Sequence, residues 1–212
     1  MKAKEMKILR KRLAKANRIE GNHLQGFNQV LSFETVQNGA EETRQKQLSV
    51  IFASSLVNRL QECLDLFERN MSQLYINSSW GLNMNDKKDE LGHNKARFLL
   101  LLDNESKQLL GFVHFRFEYD DEESPSCAVL YVYEIQIESS FRRCGLGKKL
   151  MEIIRKIAQN DAMSKILLTV FKSNEAAMSF YTKKMGFKVD ETSPNHADYE
   201  ILSCSLSVPE DN

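Results

Sequence analysis

Apolar residues recur at two different spacings along the chain, and the change between them separates strands from helices. Short apolar runs rich in β-branched and aromatic residues, bounded by polar turns, are typical of strands. They predict strands over 97–103, 109–120, 128–138 and 165–171. The last two apolar runs, FKVDE and DYEILSCSL, predict a closing hairpin.

Three- and four-residue spacing of apolar positions predicts the helices. A long helical stretch is predicted over 41–75, where the recurring positions are Ile51, Leu56, Leu60, Cys63, Leu64 and Phe67. An amphipathic helix is predicted after residue 147, with Leu150, Ile153, Ile154 and Ile157 on one face. A short helix is predicted over 174–185, and Gly186 ends it. Residues 77–96 are polar and predict a loop or lid.

The order of these elements indicates one α/β domain with a mixed sheet. The predicted domain covers 39–207, after a basic helical extension over 1–38 and before a tail at 208–212. Residues 2–18 contain eight Lys or Arg and one Glu, with a thin apolar stripe formed by Ile8, Leu9 and Leu13. This segment is either a solvated helix or a docking or address segment, for the ribosome or for nuclear import.

The composition limits the function classes. The chain has 212 residues, of which 42% are hydrophobic, enough for one packed domain. The formal net charge is zero, so the bulk charge does not predict a specific nucleic-acid partner. No apolar run reaches membrane-spanning length, so no membrane partner is expected. The four scattered cysteines have no metal-binding spacing and predict reduced thiols in the cytoplasm or nucleus, with no metal.

The stretch SSFRRCGLGKKL, residues 139–150, joins a predicted strand to a predicted helix. Glycines at such a junction let backbone N–H groups converge, and the helix N-terminus adds partial positive charge. Charge for an anion as large as a pyrophosphate is available from Arg142, Arg143, Lys148 and Lys149. By itself the pattern is more typical of an ordinary glycine turn with solvated basic residues.

Residues 142–147 match the pattern Q/R-x-x-G-x-G/A and resemble the acetyl-CoA loop of the GCN5-related N-acetyltransferases, the GNAT family. A second signature of that family is matched by Asn174, Ala177, Tyr181 and Gly186-Phe187. One residue more than in many members separates Tyr181 from Gly186. The resemblance implies the GNAT fold, a central mixed, mostly antiparallel twisted sheet flanked by helices, with acetyl-CoA as cosubstrate.

The same resemblance implies which residues hold acetyl-CoA. Backbone groups of the strand would pair with the pantetheine arm, and one N–H would polarise the thioester carbonyl. The implied set is Ile135, Gln136 and Ile137 of the strand, Arg142, Arg143, Cys144, Gly145, Leu146, Gly147 and Lys148 of the loop, and Asn174.

A more specific resemblance is carried by LYINSSWG (74–81), GFVHFRFEYD (111–120), VLYVYEIQIES (129–139), RRCGLGKKL, LLTVFKSN (167–174) and YEILS (199–203). These segments are similar to histone-directed N-terminal acetyltransferases of the NatD type. That similarity implies acetylation of the α-amine of histone tails beginning Ser-Gly-Arg-Gly, in the nucleus and cytoplasm. A monomer is expected.

Three side chains are candidates for catalysis. Glu134 is the candidate general base, because a carboxylate between large apolar neighbours on a central strand would be desolvated. Its alternative role is a structural ion pair with a nearby Lys or Arg. The resemblance implies that Tyr133 lines the peptide slot and that Tyr181 stands near the sulfur, where a phenol can protonate a thiolate. Strand alternation predicts two faces, one with Val132, Glu134 and Gln136, the other with Tyr133, Ile135 and Ile137.

The NatD-type resemblance also implies a substrate site, formed by Tyr75, Glu118, Asp120, Tyr133, Thr169 and Tyr199. A carboxylate can bind Arg in two-point fashion, so Glu118 and Asp120 would recognise the third residue of the tail. Taken singly, each tyrosine is more readily a core residue. In the acidic run over 117–126, residues 121–123 are more readily part of a solvated turn. Trp80 either anchors the preceding loop over the cleft or caps the core.

Three other functions fit parts of the sequence. The first is acetylation of a lysine side chain or a small amine, since the sequence does not measure the width of the slot. The second is a non-catalytic acyl-CoA-binding protein that acts on a partner, against which the presence of Glu134, Tyr133 and Asn174 argues. The third is a nucleic-acid or ribosome adaptor acting through residues 2–18.

Overall fold

A computed structural model describes residues 3–18, 23–36 and 43–207 of the chain. The helices are α1 (Ala3–Ala16), α2 (Leu60–Ile76), α3 (Met84–Leu91), α4 (Leu146–Asn160) and α5 (Glu175–Ser179), the last continued by a π-helical turn at Phe180–Lys184. Short 3-10 helices lie at His23–Phe27 and Ser139–Phe141. The predicted tail, 208–212, lies outside the described residues.

The strands form one eight-stranded sheet. They are β1 (Gln29–Val36), β2 (Thr43–Ala53), β3 (Arg97–Asp103), β4 (Leu109–Tyr119), β5 (Ala128–Ile137), β6 (Lys165–Phe171), β7 (Lys188–Val189) and β8 (Tyr199–Ser205). Their order is β1-β2-β3-β4-β5-β6-β8-β7. Among the strands that the structure describes, only β5 and β6 run parallel, and every other neighbouring pair is antiparallel. The predicted α/β architecture with a mixed, mostly antiparallel sheet is therefore confirmed.

Helices cover both faces of the sheet. On one face α1 and α4 pack on alternate residues of β3 and β4, such as Leu99 and Val113. On the other face α2 and α3 pack on the intervening residues, such as Phe98 and Phe112. All seven residues of β3 are buried as a result. Burial of each large apolar side chain contributes roughly 1.5–3 kcal/mol, so the two cores hold the central strands rigidly in place.

The helix predicted over 41–75 is wrong in its first half. Residues 43–53 form β2, whose side chains Leu48, Val50 and Phe52 are buried at the two-residue period of a strand. Ile51, one of the positions that indicated a helix, is 36% exposed on the opposite face. Pairing with strands on both sides decides the structure here, and such long-range pairing is invisible in local spacing.

The basic N-terminal extension contains both a helix and a strand. The predicted helix is confirmed as α1, and it is docked, because Leu9 and Leu13 are buried in the core. Asn17, directly after it, donates from Nδ2 to the carbonyl oxygen of Phe117 at 3.1 Å. Within the predicted extension, β1 pairs with β2 over eight residue pairs, so the sheet continues across the predicted boundary at residue 38.

The loop predicted over 77–96 contains the two-turn helix α3. Asn83 caps its N-terminus, since Oδ1 accepts from the N–H of Asn85 at 3.0 Å and of Asp86 at 3.4 Å. The loop prediction is therefore wrong for Met84–Leu91. A helix this short, MNDKKDEL in sequence, has too few apolar residues to produce a recognisable stripe.

Candidate active site

Two parallel strands separate at the centre of the sheet. Strand β5 pairs with β6 only as far as Val132 and Leu168, while Thr169–Phe171 at the end of β6 pairs with β8 alone. The gap opens into a cleft of about 1040 Å³, which is lined by residues of β5, β6, α2, α3, α4 and α5 and by the loop before α4. A cleft between splayed strands leaves backbone groups of β5 without a strand partner.

The open edge of β5 carries the backbone groups of Ile135 and Ile137. The N–H of Glu138 donates to the carbonyl oxygen of Leu110 at 2.8 Å, so the backbone of Glu138 points toward β4. Every second residue of a strand points its backbone groups to the same neighbour, so Gln136 also points toward β4. Ile135 and Ile137 then face the cleft. The carbonyl oxygen of Ile137 accepts from Nε of Arg142 at 3.0 Å and from Nδ2 of Asn70 at 3.2 Å, while Gln136 lines the cleft together with Ile135 and Ile137. The contacts of these three residues with acetyl-CoA stay predictions.

A β-bulge lies at Tyr133. His114 pairs with Glu134 and Phe115 pairs with Val132, which leaves Tyr133 as the extra residue of β5. The bulge places Tyr133 and Glu134 on the same side of the sheet. The predicted faces are therefore wrong, because Val132 packs in the core with α4 together with Ile135 and Ile137, on the side opposite Glu134.

The loop before α4 turns at a glycine with positive φ. Gly145 adopts φ of +81° directly before α4, a backbone conformation that residues other than glycine rarely adopt. At Gly147 a Cβ atom would lie 3.5 Å from the ring of Phe180, so a larger side chain would meet that ring or enter the cleft. The residues of the loop that line the cleft are Arg142, Arg143, Gly145, Gly147 and Lys148.

Two residues of the predicted acetyl-CoA set have other surroundings. Leu146 is buried in the hydrophobic core, so only its backbone is available to a ligand. Cys144 is exposed, and its Sγ lies 3.5 Å from the carbonyl oxygen of Arg142. Asn174, as predicted, lines the cleft; its Oδ1 accepts from the N–H of Ala177 at 3.2 Å and caps α5.

The extra residue between Tyr181 and Gly186 is accommodated by a π-helical turn. The N–H of Met185 donates to the carbonyl oxygen of Phe180, five residues earlier, at 3.1 Å. A π-turn absorbs one inserted residue without ending the helix. Tyr181 at this turn lines the cleft, and burial, followed by the nearby carboxylate of Glu134, raises the pKa of its phenol above the ordinary value. The phenol therefore keeps its proton.

Glu134 lies in a buried ion pair. The residue is 5% exposed, Oε1 lies 2.7 Å from Nζ of Lys87, and Oε2 accepts from Nε2 of Gln136 at 2.7 Å. Burial raises the pKa of Glu134. The positive charge of Lys87 lowers this pKa, and the negative charge of Glu90 raises it further. The structural alternative foreseen for Glu134 is therefore present, and its role as a base stays a prediction.

A second polar group adjoins this pair on the same side of the sheet. The hydroxyl of Tyr133 donates to both carboxylate oxygens of Glu118, at 3.1 and 2.9 Å. The guanidinium of Arg116 lies 4.3 Å from the centre of the Tyr133 ring, and its Nε donates to Nε2 of His114 at 3.3 Å. Burial raises the pKa of the half-buried Glu118, so this carboxyl group holds its proton more tightly than a solvated one.

Asp120 is engaged in its own loop. Its Oδ1 accepts from the N–H groups of Ser126 and Cys127 at 2.9 Å each, and Oδ2 accepts from the hydroxyl of Ser126. These bonds close the turn between β4 and β5. Glu118, Asp120 and Tyr199 are not among the described residues that line the cleft, and their predicted contacts with the substrate stay predictions.

Aromatic rings form the far wall of the cleft. Tyr75 meets Phe171 edge-on at 5.0 Å between ring centres, and Trp80 lies 5.2 Å from Phe171 and 5.0 Å from Tyr199. The carboxylate of Asp198 ties down the Trp80 loop, since it accepts from the N–H and the hydroxyl of Ser79 at 2.6 and 2.9 Å. Trp80, 49% exposed, therefore anchors the loop over the cleft, which is one of its two foreseen roles.

Sequence reasoning missed several residues of this cleft. Tyr131 hydrogen-bonds to the predicted Thr169 and lies 4.9 Å from Tyr133 between ring centres; two-residue alternation along the strand was the signal for it. Lys87 and Glu90 belong to the unpredicted helix α3, so no periodic pattern pointed to them.

Comparison with known proteins agrees with this geometry. A model of the acetyltransferase (GNAT) family matches residues 60–187, more than half of the chain. The chain belongs to the acetyltransferase (GNAT) family. It is thus an acetyltransferase, and the matched range runs from α2 through the cleft to the residue after Gly186.

Solved structures of N-acetyltransferases share the fold. Arabidopsis thaliana NAA60 in complex with acetyl-CoA is 15% identical and superposes with a TM-score of 0.56, over 74% of this chain and 98% of that one. Arabidopsis thaliana Naa50 in complex with the bisubstrate analogue CoA-Ac-MVNAL is 20% identical, with a TM-score of 0.51 over 74% and 99%. The ribosomal-protein-S18-alanine N-acetyltransferase from Escherichia coli is 17% identical, with a TM-score of 0.55 over 77% and 97%.

The cleft fits acetyl-CoA on its own geometry. In the loop before α4, Gly145 has a left-handed backbone, and Gly147 leaves space in the cleft because it has no side chain. The N-terminus of α4 and the basic side chains of the loop add positive charge, which suits a pyrophosphate. The unpaired edge of β5 suits an extended pantetheine arm. Within residues 3–18, 23–36 and 43–207, no group of three or more His, Cys, Asp or Glu side chains could hold a metal ion. In the same part of the chain, no helix is long and apolar enough to cross a membrane.

Proposed function

We propose that this acetyltransferase modifies the α-amine of protein N-termini and that its substrates are histone tails beginning Ser-Gly-Arg-Gly, as in NatD-type enzymes. The observation that carries the proposal is the hydrogen bond from Tyr133 to Glu118, which fixes a half-buried carboxylate next to a slot with tyrosines on both sides. An N-terminal Ser would enter the slot, and the carboxylate would bind the cation two residues later.

The aromatic wall supports selection of a small first residue. Tyr75 and Trp80 border the slot on one side, and Tyr131 and Tyr133 on the other. Tyr75 packs edge-on against Trp80, and Tyr131 packs at a tilt against Tyr133. Rings packed in this way are held rigidly, so they cannot move aside for a branched or long side chain. Thr169, whose hydroxyl meets that of Tyr131, adds a polar group for a Ser hydroxyl or the first peptide bond.

The surroundings of Glu118 support selection of Arg at the third position. NH1 of Arg116 already lies 3.9 Å from Oε1 of Glu118, so the pocket accommodates a guanidinium beside this carboxylate. A charged hydrogen bond from a substrate Arg would contribute about 1.5–3 kcal/mol in this half-buried position. The equivalent contact on an open surface would contribute under about 1 kcal/mol.

The residues of the cleft then divide the chemistry between them. Bound acetyl-CoA supplies the acetyl group as a thioester. The N–H groups of Ile135 and Ile137 lie on the open edge of β5, where one of them can polarise the carbonyl oxygen. Glu134 accepts a proton from the substrate amine, whose ordinary pKa near 8 makes a modest base sufficient. Tyr181 holds a proton for the sulfur atom.

The same proposal includes where the enzyme acts and what it meets. It would work as a monomer in the nucleus and cytoplasm on histone tails. The exposed Lys4, Lys7 and Lys11 of α1, fixed to the domain by Leu9 and Leu13, would serve as a contact for the ribosome. The direct test is the position of the acetyl group on a Ser-Gly-Arg-Gly peptide, located by fragmentation in a mass spectrometer. Acetyl groups on lysine side chains would favour the alternative reaction.

A further inference from the structure

Lys87 is a nearly buried lysine in the wall of the cleft. It lies on α3, is 6% exposed, and its Nζ contacts the carboxylates of Glu134 and Glu90 at 2.7 Å each. Nζ also lies 4.6 Å from the ring centre of Phe67 and 3.4 Å from the hydroxyl of Tyr75. One ammonium group therefore joins α2, α3 and β5 beside the reacting centre.

The contacts of Lys87 keep it charged in spite of its burial. Burial disfavours the ammonium form, but the carboxylates of Glu134 and Glu90 outweigh that effect and raise the pKa of Lys87 above its ordinary value. A buried ion pair is weak evidence for stability, because removal of both charges from water offsets their attraction. A charged lysine in this position is better explained by its effect on the protonation of Glu134, whose carboxylate it contacts.

The polar network around Lys87 carries one negative charge in excess. Lys87 and Arg116 are positive, and Glu90, Glu118 and Glu134 are negative. His114 is neutral, because burial lowers its pKa to about 4. A substrate ammonium group entering the cleft would balance the network, and its proton would then pass to the nearest carboxylate.

We propose that Lys87 is a positioning residue for acetyl transfer, whose ammonium group keeps the carboxylate of Glu134 ionised and fixed at the cleft wall; this inference rests on the proposed function. An ammonium group loses two protons in becoming an amide N–H. One passes to Glu134 and then to solvent, and the other reaches the sulfur atom as the carbon–sulfur bond breaks and the carbon–nitrogen bond forms. Without Lys87, Glu134 would already be protonated when the substrate arrives.

The opposite effects of Lys87 and Glu90 on Glu134 make the proposal testable. Removal of the positive charge should raise the pH at which Glu134 loses its proton, and removal of the neighbouring negative charge should lower it. The charged and titratable groups around Glu134 are Lys87, Glu90, Tyr75, His114, Arg116 and Tyr181. Only Lys87 among them contacts the Glu134 carboxylate directly. Substitution of Lys87 therefore removes the nearest positive charge, and substitution of Glu90 removes the negative charge that opposes its effect on Glu134.

The experiment compares Lys87→Met, Lys87→Arg and Glu90→Gln with the wild type. NMR titration of isotope-labelled glutamate carboxyls, with Glu134→Gln to assign the signal, follows Glu134 directly and needs no substrate. The pH profile of kcat is measured in parallel with a Ser-Gly-Arg-Gly peptide, or with an N-terminally blocked lysine peptide if the first is not acetylated. Lys88→Met is the matched control, since Lys88 is the exposed neighbour on the same helix.

The expected results differ in sign. Lys87→Met should move the Glu134 titration and the acidic limb of kcat to higher pH by at least one unit and reduce kcat at pH 7 about tenfold or more. Lys87→Arg should restore most of kcat, and Glu90→Gln should move the titration to lower pH. Superimposable titrations in folded Lys87→Met and wild type would overturn the proposal. If Lys87→Met does not fold, an unmoved titration in Glu90→Gln would overturn it equally.

Failure of the proposed function would look different. An enzyme that acetylates the lysine peptide instead of Ser-Gly-Arg-Gly could still show both titration shifts. The α-amine proposal would then be wrong, and the role of Lys87 would stand for the amine that is accepted.

Discussion

The hydroxyl of Tyr133 donates a hydrogen bond to Oε2 of Glu118 at 2.9 Å. This contact joins the bulge in β5 to the strand beside it; Tyr133 lines the cleft, and Glu118 lies beside Tyr133. It holds the carboxylate in one orientation before any substrate arrives. Binding of a substrate Arg would therefore cost the protein little conformational entropy.

Glu118→Ala should remove most of the preference for Arg at the third position of the peptide. The ratio of kcat/KM for Ser-Gly-Arg-Gly over Ser-Gly-Ala-Gly should fall from at least tenfold toward unity, because the half-buried charged contact is lost. Steady-state kinetics on the two peptides measures it. A ratio that stays at the wild-type value in the variant would rule out Glu118 as the Arg-binding group.

Asp120→Ala tests the other predicted contact with the third residue of the tail, because Asp120 lies two residues after Glu118, in the turn that follows β4. Its hydrogen bonds to Ser126 and Cys127 close the β4–β5 turn, so its removal should lower Tm by a few degrees. The Arg preference should stay as in the wild type. A loss of preference equal to that in Glu118→Ala would show that the turn also contacts the peptide.

Gly147→Trp should abolish acetyl-CoA binding in a folded protein. The side chain would meet Phe180 or fill the loop where the pyrophosphate is expected. Isothermal titration calorimetry with acetyl-CoA measures the loss, and Tm reports on the fold. Gly26→Trp is the control, since a Cβ there meets nothing within 4 Å and should leave the affinity unchanged. Unchanged affinity in Gly147→Trp would contradict the assignment of the loop.

Glu134→Gln should lower kcat by about 10²-fold, the usual weight of general-base catalysis. The affinity for acetyl-CoA should stay nearly intact, since the predicted contacts of the strand with the cofactor use its backbone. Lys87 keeps Glu90 as a partner in this variant, which limits the loss of stability. Rapid single-turnover measurements at saturating acetyl-CoA isolate the chemical step. A near-normal rate would reduce Glu134 to a structural ion-pair partner.

His114 should make the folded protein lose stability between about pH 6.5 and pH 4. Its fully buried ring lies between Phe98 and Tyr133, and burial lowers its pKa to about 4. Because the folded pKa is depressed, the unfolded state binds the proton first as the pH falls. The shift of more than two units corresponds to about 3 kcal/mol of unfolding free energy.

Urea denaturation at a series of pH values measures this effect. His114→Phe, which preserves an aromatic ring in the stack, should flatten the pH dependence over that range. The exposed His196→Asn is the control and should follow the wild type. An equally steep loss of stability in His114→Phe would assign the pH dependence to other groups.

The sequence predicted those elements whose signals are local. Strand β6 begins and ends where predicted, at Lys165 and Phe171, and the amphipathic helix predicted after the glycine loop is confirmed as α4. Both depend on residue types within a few positions of one another. β2 was mistaken for a helix because its structure is decided by pairing with β1 and β3, and β1 had no prediction of its own.

The site was predicted in outline but not in its electrostatics. The family motifs pointed to Glu134 and Tyr133, yet simple alternation placed them on opposite faces, because one extra residue in a strand changes every later side chain. The ion pair with Lys87 depends on how α3 packs over β5, which no local pattern contains. The hydrogen bonds of Asp120 to Ser126 and Cys127 were not predicted either, although these residues lie only six and seven positions away.

The most direct test of the central claim is a competition between Ser-Gly-Arg-Gly and Ser-Gly-Ala-Gly peptides in one reaction with acetyl-CoA, each extended by the same lysine-containing sequence. Mass spectrometry gives the ratio of products, and fragmentation locates the modified nitrogen. We expect the Arg peptide to be acetylated at least tenfold faster, on the α-amine of Ser. Equal rates for the two peptides, or acetyl groups mainly on lysine side chains, would contradict the account.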